Sequence, residues 1–193
     1  QRTKQFEQEF AQAVHATHAV ATNSGTAALH LALEAVGVKE GDEVILPTMT
    51  FAATAEVVSY LRAKPVLVDS EPDTLNLDPD AVRQAITPRT KMILLNSPAN
   101  PTGVIASEEE VRGLAKLAAE KNVVLLSDEI YRSFCFDQPF VSPATYNDRT
   151  LVIDGFSKSH GMTGWRWGFV HGPAEIIDTM IKLQQYTFVC APQ

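Results

Sequence analysis

The chain is predicted to fold as an α/β protein, with three layers and a mostly parallel sheet covered by helices on both faces. Three observations predict this. Short β-prone runs alternate with helical patterns along the sequence. The runs are almost continuously apolar, as strands buried on both faces are. Segments rich in Gly, Asn, Ser and Asp follow the strands directly, where open α/β sheets bind their ligands.

The elements follow in order. Residues near Phe6 to Val14 read as a helix, and His18 to Thr22 as a short strand. Thr26 to Val36 is rich in Ala and Leu and stops before Gly37, as a helix should. Glu43 to Leu46 is an apolar strand closed by Pro47. Ala52 to Leu61 reads as a helix and Pro65 to Val68 as a strand. Lys91 to Leu95, Val123 to Leu126 and Leu151 to Ile153 are further strands. Between the first two of these lies a helix, Glu108 to Lys121. Ser107 and Glu110 form a capping box at its start, and Val111, Leu114 and Ala118 form its apolar stripe. Ala174 to Thr187 reads as a final helix. No repeat, low-complexity tract or long linker interrupts the pattern.

Composition narrows the function. The 193 residues are 45% hydrophobic and 20% charged, enough to build one sizeable core. A formal net charge of -7 with no basic cluster argues against nucleic acid as a partner. The N-terminus is polar and no apolar run approaches ~20 residues, so neither a signal peptide nor a membrane partner is expected. The expected location is cytoplasmic. Cys135 and Cys190 lack metal-ligand spacing, so no metal is expected, and both read as buried, reduced thiols. Gln1 is not an initiator Met, and Ala191-Pro192-Gln193 follows closely on a helical pattern. Both ends read as cut.

Four segments carry chemistry. Asn23-Ser24-Gly25-Thr26 joins a strand to a helix. Gly25 lets backbone approach a ligand, Thr26 offers a hydroxyl, and the helix start offers unpaired N–H groups, which together suit a phosphate. A plain helix cap explains this segment equally well when it is taken alone. Asn96-Ser-Pro-Ala-Asn100-Pro101-Thr102-Gly103 makes a rigid loop after a strand, and alone it reads as a tight turn. Asp128, in Ser127-Asp128-Glu129-Ile130-Tyr131, closes the apolar run Val123 to Leu126. A carboxylate there is costly to ionise without a cationic partner, a requirement that a protonated pyridine nitrogen would meet. An exposed loop acid is the plainer alternative.

The fourth segment is Gly155-Phe-Ser157-Lys158-Ser-His-Gly161-Met-Thr-Gly164-Trp-Arg166-Trp-Gly168. A single Lys in a small, desolvated, glycine-rich loop reads as a nucleophilic amine. Arg166 can clamp a phosphate bidentately. A solvated Lys and a surface Arg would leave the surrounding glycines and both tryptophans unexplained.

This last segment resembles the lysine signature of class I/II aminotransferases of the aspartate aminotransferase fold, fold type I. Asn100-Pro-Thr-Gly103 and Asp128-Glu-Ile-Tyr131 resemble two further motifs of that group, in the same order. Ser24-Gly-Thr-Ala-Ala-Leu29 and Asp42-Glu-Val-Ile-Leu-Pro-Thr-Met-Thr-Phe51 are similar to the DegT-type nucleotide-sugar aminotransferases instead. From about Thr90 onward only the class I/II pattern is matched.

The resemblance implies pyridoxal 5'-phosphate as cofactor. Lys158 would form its Schiff base and shuttle protons, Asp128 would pair with the pyridine nitrogen, and Tyr131 and Asn100 would bond the phenolic oxygen. Gly25, Thr26, Ser157 and Arg166 would hold the phosphate, and Phe51 would stack on the ring. The family often carries a hydroxyl residue where Gly155 stands, which would leave one phosphate contact missing. The implied activity is amino transfer between an amino acid and a 2-oxo acid, with catalysis by Lys158, Asp128 and Tyr131. Alternatives are amino transfer to a keto-sugar nucleotide, another fold type I reaction such as decarboxylation or β-elimination, and a cofactor-binding fragment without turnover. The implied partners are a small-molecule amino donor and oxo acceptor and a second copy of the chain. Residues 1–193 would form the large cofactor-binding domain, with the family's small C-terminal domain absent. In that family the arginine that binds the substrate carboxylate lies far beyond the lysine motif. No arginine follows Arg166 here.

Overall fold

The computed structural model describes residues 2–187. Cys190 and the C-terminal residues that read as a cut end lie outside them. The elements are α1 (Arg2–Ala13), β1 (His18–Thr22), α2 (Gly25–Val36), β2 (Glu43–Pro47), α3 (Ala53–Tyr60) and β3 (Lys64–Val68). They continue with α4 (Pro79–Ala85), β4 (Thr90–Asn96), α5 (Glu108–Glu120), β5 (Val124–Asp128), β6 (Thr150–Gly155), β7 (Gly168–Gly172) and α6 (Ala174–Gln184). The final helix ends at Gln184, three residues short of the expected Thr187.

Seven strands form one sheet in the order β1-β7-β6-β5-β4-β2-β3. β6, β5, β4, β2 and β3 run parallel, and β7 is antiparallel to both its neighbours. The sheet is buried from both sides, as the continuous apolar strands require. Leu46, Leu94, Leu126, Ile153 and Val170 point into one core with α2, α3 and α6. Ile45, Ile93, Leu95 and Leu125 point the other way, against Val111, Leu114 and Ala118 of α5. On that second face α1 lays Phe6 and Phe10 against Phe169 of β7, with centroids 6.4 and 3.9 Å apart.

Local chemistry sets the helix ends. Ser107 Oγ accepts from Glu110 N while Glu110 accepts from Ser107 N, so the expected capping box forms. Gly37 closes α2 at φ +84°, a conformation that favours glycine.

Two elements were not read from the sequence. α4 had its signals, Asp78 as cap and Pro79 at the first helical position, but it is only seven residues long. β7 begins and ends with glycine, which ordinarily marks a turn. Here Gly168 is needed for close approach: a Cβ would lie 2.9 Å from the Ser24 carbonyl carbon and 3.1 Å from Gly25 N. Gly168→Ala should therefore lower stability by about 1–3 kcal/mol, because rigid backbone must move. Urea unfolding at an unchanged midpoint would refute this.

The Cys135 thiol is free and half-buried, not fully buried as expected, and burial still pushes its pKa up. Among the described residues no helix is long and apolar enough to cross a membrane.

Candidate active site

The carboxyl ends of the strands frame a cavity of about 250 Å³. It collects every site residue read from the sequence: Gly25, Thr26, Phe51, Asn100, Asp128, Tyr131, Ser157, Lys158 and Arg166.

The β1–α2 turn forms one wall. Ser24 is extended at φ -172° and caps α2, its Oγ accepting from Ala27 N. Thr22 Oγ1 donates to Ser24 O at 3.1 Å and tightens the turn. The cap and the phosphate cradle are thus compatible. Ser24 satisfies Ala27 N, and Gly25 and Thr26, whose N–H groups precede any intrahelical acceptor, line the cavity. Gly168 is the close neighbour that lets β7 pack beneath them.

Asn96, at the end of β4, was quoted in the sequence motif without a role. Its Oδ1 accepts from Asn100 N at 2.9 Å, and its Nδ2 donates to Asp128 O at 3.4 Å. It therefore ties the Asn100 loop to the strand that carries Asp128. Ser97 Oγ accepts from Ala106 N and pins the far end of the same loop.

Asp128 ends β5 on the cavity floor. Ile130 N donates to its Oδ1 at 3.3 Å, and no cation pairs with it among the described residues. Burial raises its carboxyl to about 6, partly offset by the Ile130 bond, with the nearby Asp154 adding to the rise. A desolvated acid without a cation is the condition in which a cationic ligand atom gains most.

Lys158 Nζ stands 5.7 Å from the centre of the Tyr131 ring. The side chain is exposed, so the desolvated setting expected for it is not present. Arg166 adopts a left-handed conformation (φ +55°) and donates from Nη1 to Thr163 O at 3.0 Å, leaving other guanidinium donors available. Gly155 has a packing reason for lacking a hydroxyl: a Cβ there would lie 2.9 Å from Trp167 O and 3.1 Å from Gly168 Cα. Of the two tryptophans, Trp167 packs on Phe6 with centroids 5.1 Å apart, while Trp165 is 65% exposed.

Behind the cavity, on the other face of the sheet, lies a polar cluster that sequence reasoning missed. Arg132 Nε meets Asp154 Oδ2 at 2.7 Å. Ser142 Oγ donates to Glu129 Oε1 at 2.6 Å. Burial raises Glu129 to about 7 and Asp154 to about 6, and lowers His171 to about 4. Strand alternation put these residues on the sheet face, but no local signal in the sequence pairs Arg132 with Asp154.

Comparison with known proteins agrees with this geometry. The DegT/DnrJ/EryC1/StrS aminotransferase family matches residues 1–129, past Thr90 and through Asp128. A probable N-acetyl-LL-diaminopimelate aminotransferase of Bacillus subtilis is 45% identical over 152 residues, 78% of this chain and 39% of that protein. A probable aspartate aminotransferase of Methanocaldococcus jannaschii is 36% identical over 80% of this chain and 42% of its own length. This chain therefore spans about two-fifths of the length of these curated relatives. The structure of aspartate aminotransferase from Thermus thermophilus with maleate superposes with a TM-score of 0.87 at 35% identity, over 90% of this chain and 46% of that one. The fold is therefore that of the aspartate aminotransferases, fold type I, and the chain belongs to the DegT/DnrJ/EryC1/StrS aminotransferase family.

Proposed function

We propose that this chain binds pyridoxal 5'-phosphate in the strand-end cavity and serves amino transfer between an amino acid and a 2-oxo acid. The observation that carries this reading is the joint presence in one cavity of an unpaired, half-buried acid with a raised pKa, an amine and an anion cradle. The residues fit the cofactor. Asp128 lacks the cation that a protonated ring nitrogen would supply. The free N–H groups opening α2, with Arg166 and Ser157, suit a dianionic phosphate.

When bound, pyridoxal phosphate supplies a ring that withdraws electrons from the substrate's α-carbon. Lys158 Nζ would hold the cofactor and would carry the α-proton. Asp128 would keep a proton on the ring nitrogen. Tyr131 and Asn100 would hydrogen-bond the phenolic oxygen, with Asn96 steadying Asn100. Phe51 would cover the ring. Asp128, Tyr131 and Lys158 are the catalytic residues in this reading.

Borohydride added to the protein with pyridoxal phosphate should fix the label on Lys158, with loss of the visible absorbance. Peptide mapping that finds the label spread over surface lysines such as Lys4 and Lys39 would refute the reading. Amino transfer to a keto-sugar nucleotide is the second reading, supported by the family matched over residues 1–129. Titrating 2-oxo acids and keto-sugar nucleotides into the cofactor-loaded protein separates the two, because only the true acceptor shifts the absorbance of the bound cofactor saturably.

The protein also pairs with a second copy of itself in this reading. Phe51, 58% exposed, lines the cavity, and Met49, two residues before it, is 39% exposed; such a contact would cover both. Light scattering should give the dimer mass, and a monodisperse monomer at high concentration would exclude it.

A further inference from the structure

The rear polar cluster lies directly behind the cavity floor. Asp128 pairs with Ile153 in the β5–β6 register, so Asp154 is one residue further along the adjacent strand. Leu126 and Ile153 share the core on the α2 side. By strand alternation, Asp128 faces that side and Asp154 faces the opposite one. The two residues thus flank the sheet back to back on adjacent strands whose backbones are roughly 4.8 Å apart, with their carboxylates further apart on opposite faces.

Asp154 is 5% exposed, and both of its oxygens are occupied. Arg132 Nε donates to Oδ2 at 2.7 Å, and Gly155 N donates to Oδ1 at 2.6 Å. Gly155 itself lines the cavity. Arg132 is held in reach because its own N–H donates to Glu129 O and because Glu129 is anchored by Ser142. A buried carboxylate without such a partner would keep its proton. The charged and titratable groups facing Asp154 are Arg132 from the loop after β5, Asp128 and Glu129 from the end of β5, and His160 from the loop after β6. His171 of β7 faces the same guanidinium.

Resting on the pyridoxal phosphate reading, we propose that Arg132 and Asp154 are positioning residues for Asp128. The guanidinium fixes Asp154 as an anion on the rear face of the sheet, and that anion reinforces the hold of Asp128 on a cationic ring nitrogen. The direction of the Asp154 effect on Asp128 agrees, since a second negative charge makes the first carboxylate more basic. The pair acts as a unit. Loss of Arg132 lets Asp154 take up a proton, which removes the same charge that Asp154→Asn removes.

Two measurements test this, one of them free of cofactor. In the ligand-free protein, carboxyl NMR should show Asp128 titrating at lower pH in Asp154→Asn than in the wild type. In Arg132→Gln, Asp154 should hold its proton to higher pH. The second measurement compares affinity for pyridoxal phosphate with affinity for its 1-deaza analogue, in which carbon replaces the ring nitrogen. Either substitution should weaken pyridoxal phosphate binding about three- to tenfold and leave the deaza analogue unchanged, and the double variant should be no worse than either single one. An Asp128 titration unmoved by Asp154→Asn overturns the proposal, as does equal weakening of both ligands, the sign of a merely structural defect. If the wild type binds neither ligand at Lys158, the cofactor reading fails, and the NMR titration still reports the coupling.

Discussion

Replacing Asp128 by asparagine is expected to stabilise the ligand-free protein at pH 8 by about 1–3 kcal/mol while weakening its hold on pyridoxal phosphate roughly tenfold. The two effects have one cause. Burial raises the Asp128 carboxyl from 3.8 to about 6, so the fold disfavours the ionised form. A raised acid binds its proton more tightly in the folded than in the unfolded state. Stability is therefore lost as pH climbs from about 4 through about 6, and the loss is complete at pH 8. An Asn side chain keeps an oxygen for Ile130 N and carries no charge, so it escapes the loss. The low end of the range allows for water entering the open cavity. Glu129, Asp154 and His171 titrate in the same region and are present in both proteins, so the difference reports Asp128 together with its coupling to Asp154. In the loaded protein the cationic ring nitrogen supplies the missing partner, and the amide cannot replace that attraction. Urea unfolding at pH 4 and pH 8 checks the first effect, and titration with pyridoxal phosphate at pH 8 checks the second. A variant no more stable than the wild type at pH 8 would mean that Asp128 is well solvated, and the site would lose its strained acid.

The sequence disclosed the parts of this site that are local and left out those that depend on register. Ser107 and Glu110 predict their capping box because both partners lie within one helical turn. Lys158, Asp128 and Asn100 are legible because each follows a strand of a parallel sheet, and such ends share one edge. β7 escaped notice because Gly168 looks like punctuation until Ser24 and Gly25 are seen pressed against it. The Arg132–Asp154 pair escaped because it joins side chains 22 positions apart, through a register that no periodicity specifies. The exposure of Lys158 corrects an expectation for a related reason. Glycine-rich loops bring backbone close to ligands, but their composition does not say whether protein covers them.

These 193 residues, assayed by themselves, are expected to bind pyridoxal phosphate yet transaminate no faster than the free cofactor. The cavity is lined by two cationic side chains, Lys158 and Arg166. In the proposed site the first bonds to the cofactor and the second holds its phosphate, which leaves neither for an amino acid's α-carboxylate. That group calls for the planar fork of an arginine, whose charged hydrogen bonds contribute about 1.5–3 kcal/mol each. The other arginines that could be considered are engaged elsewhere. Arg89 bonds Glu43 at 2.7 Å, Arg62 and Arg83 approach Glu40 and Glu120 at 4.0 Å, and Arg132 is committed to Asp154. Water is a second obstacle. Lys158 and Phe51 stand exposed at the cavity mouth, so the reacting atoms lack the dry surroundings that strengthen electrostatic contacts. Steady-state assays over a panel of amino acid and 2-oxo acid pairs measure the outcome, with free pyridoxal phosphate as reference. Saturable turnover well above that reference would overturn the expectation. It would require Arg166 to turn from the phosphate to the substrate carboxylate, leaving the N–H groups of Gly25 and Thr26 to hold the phosphate without it.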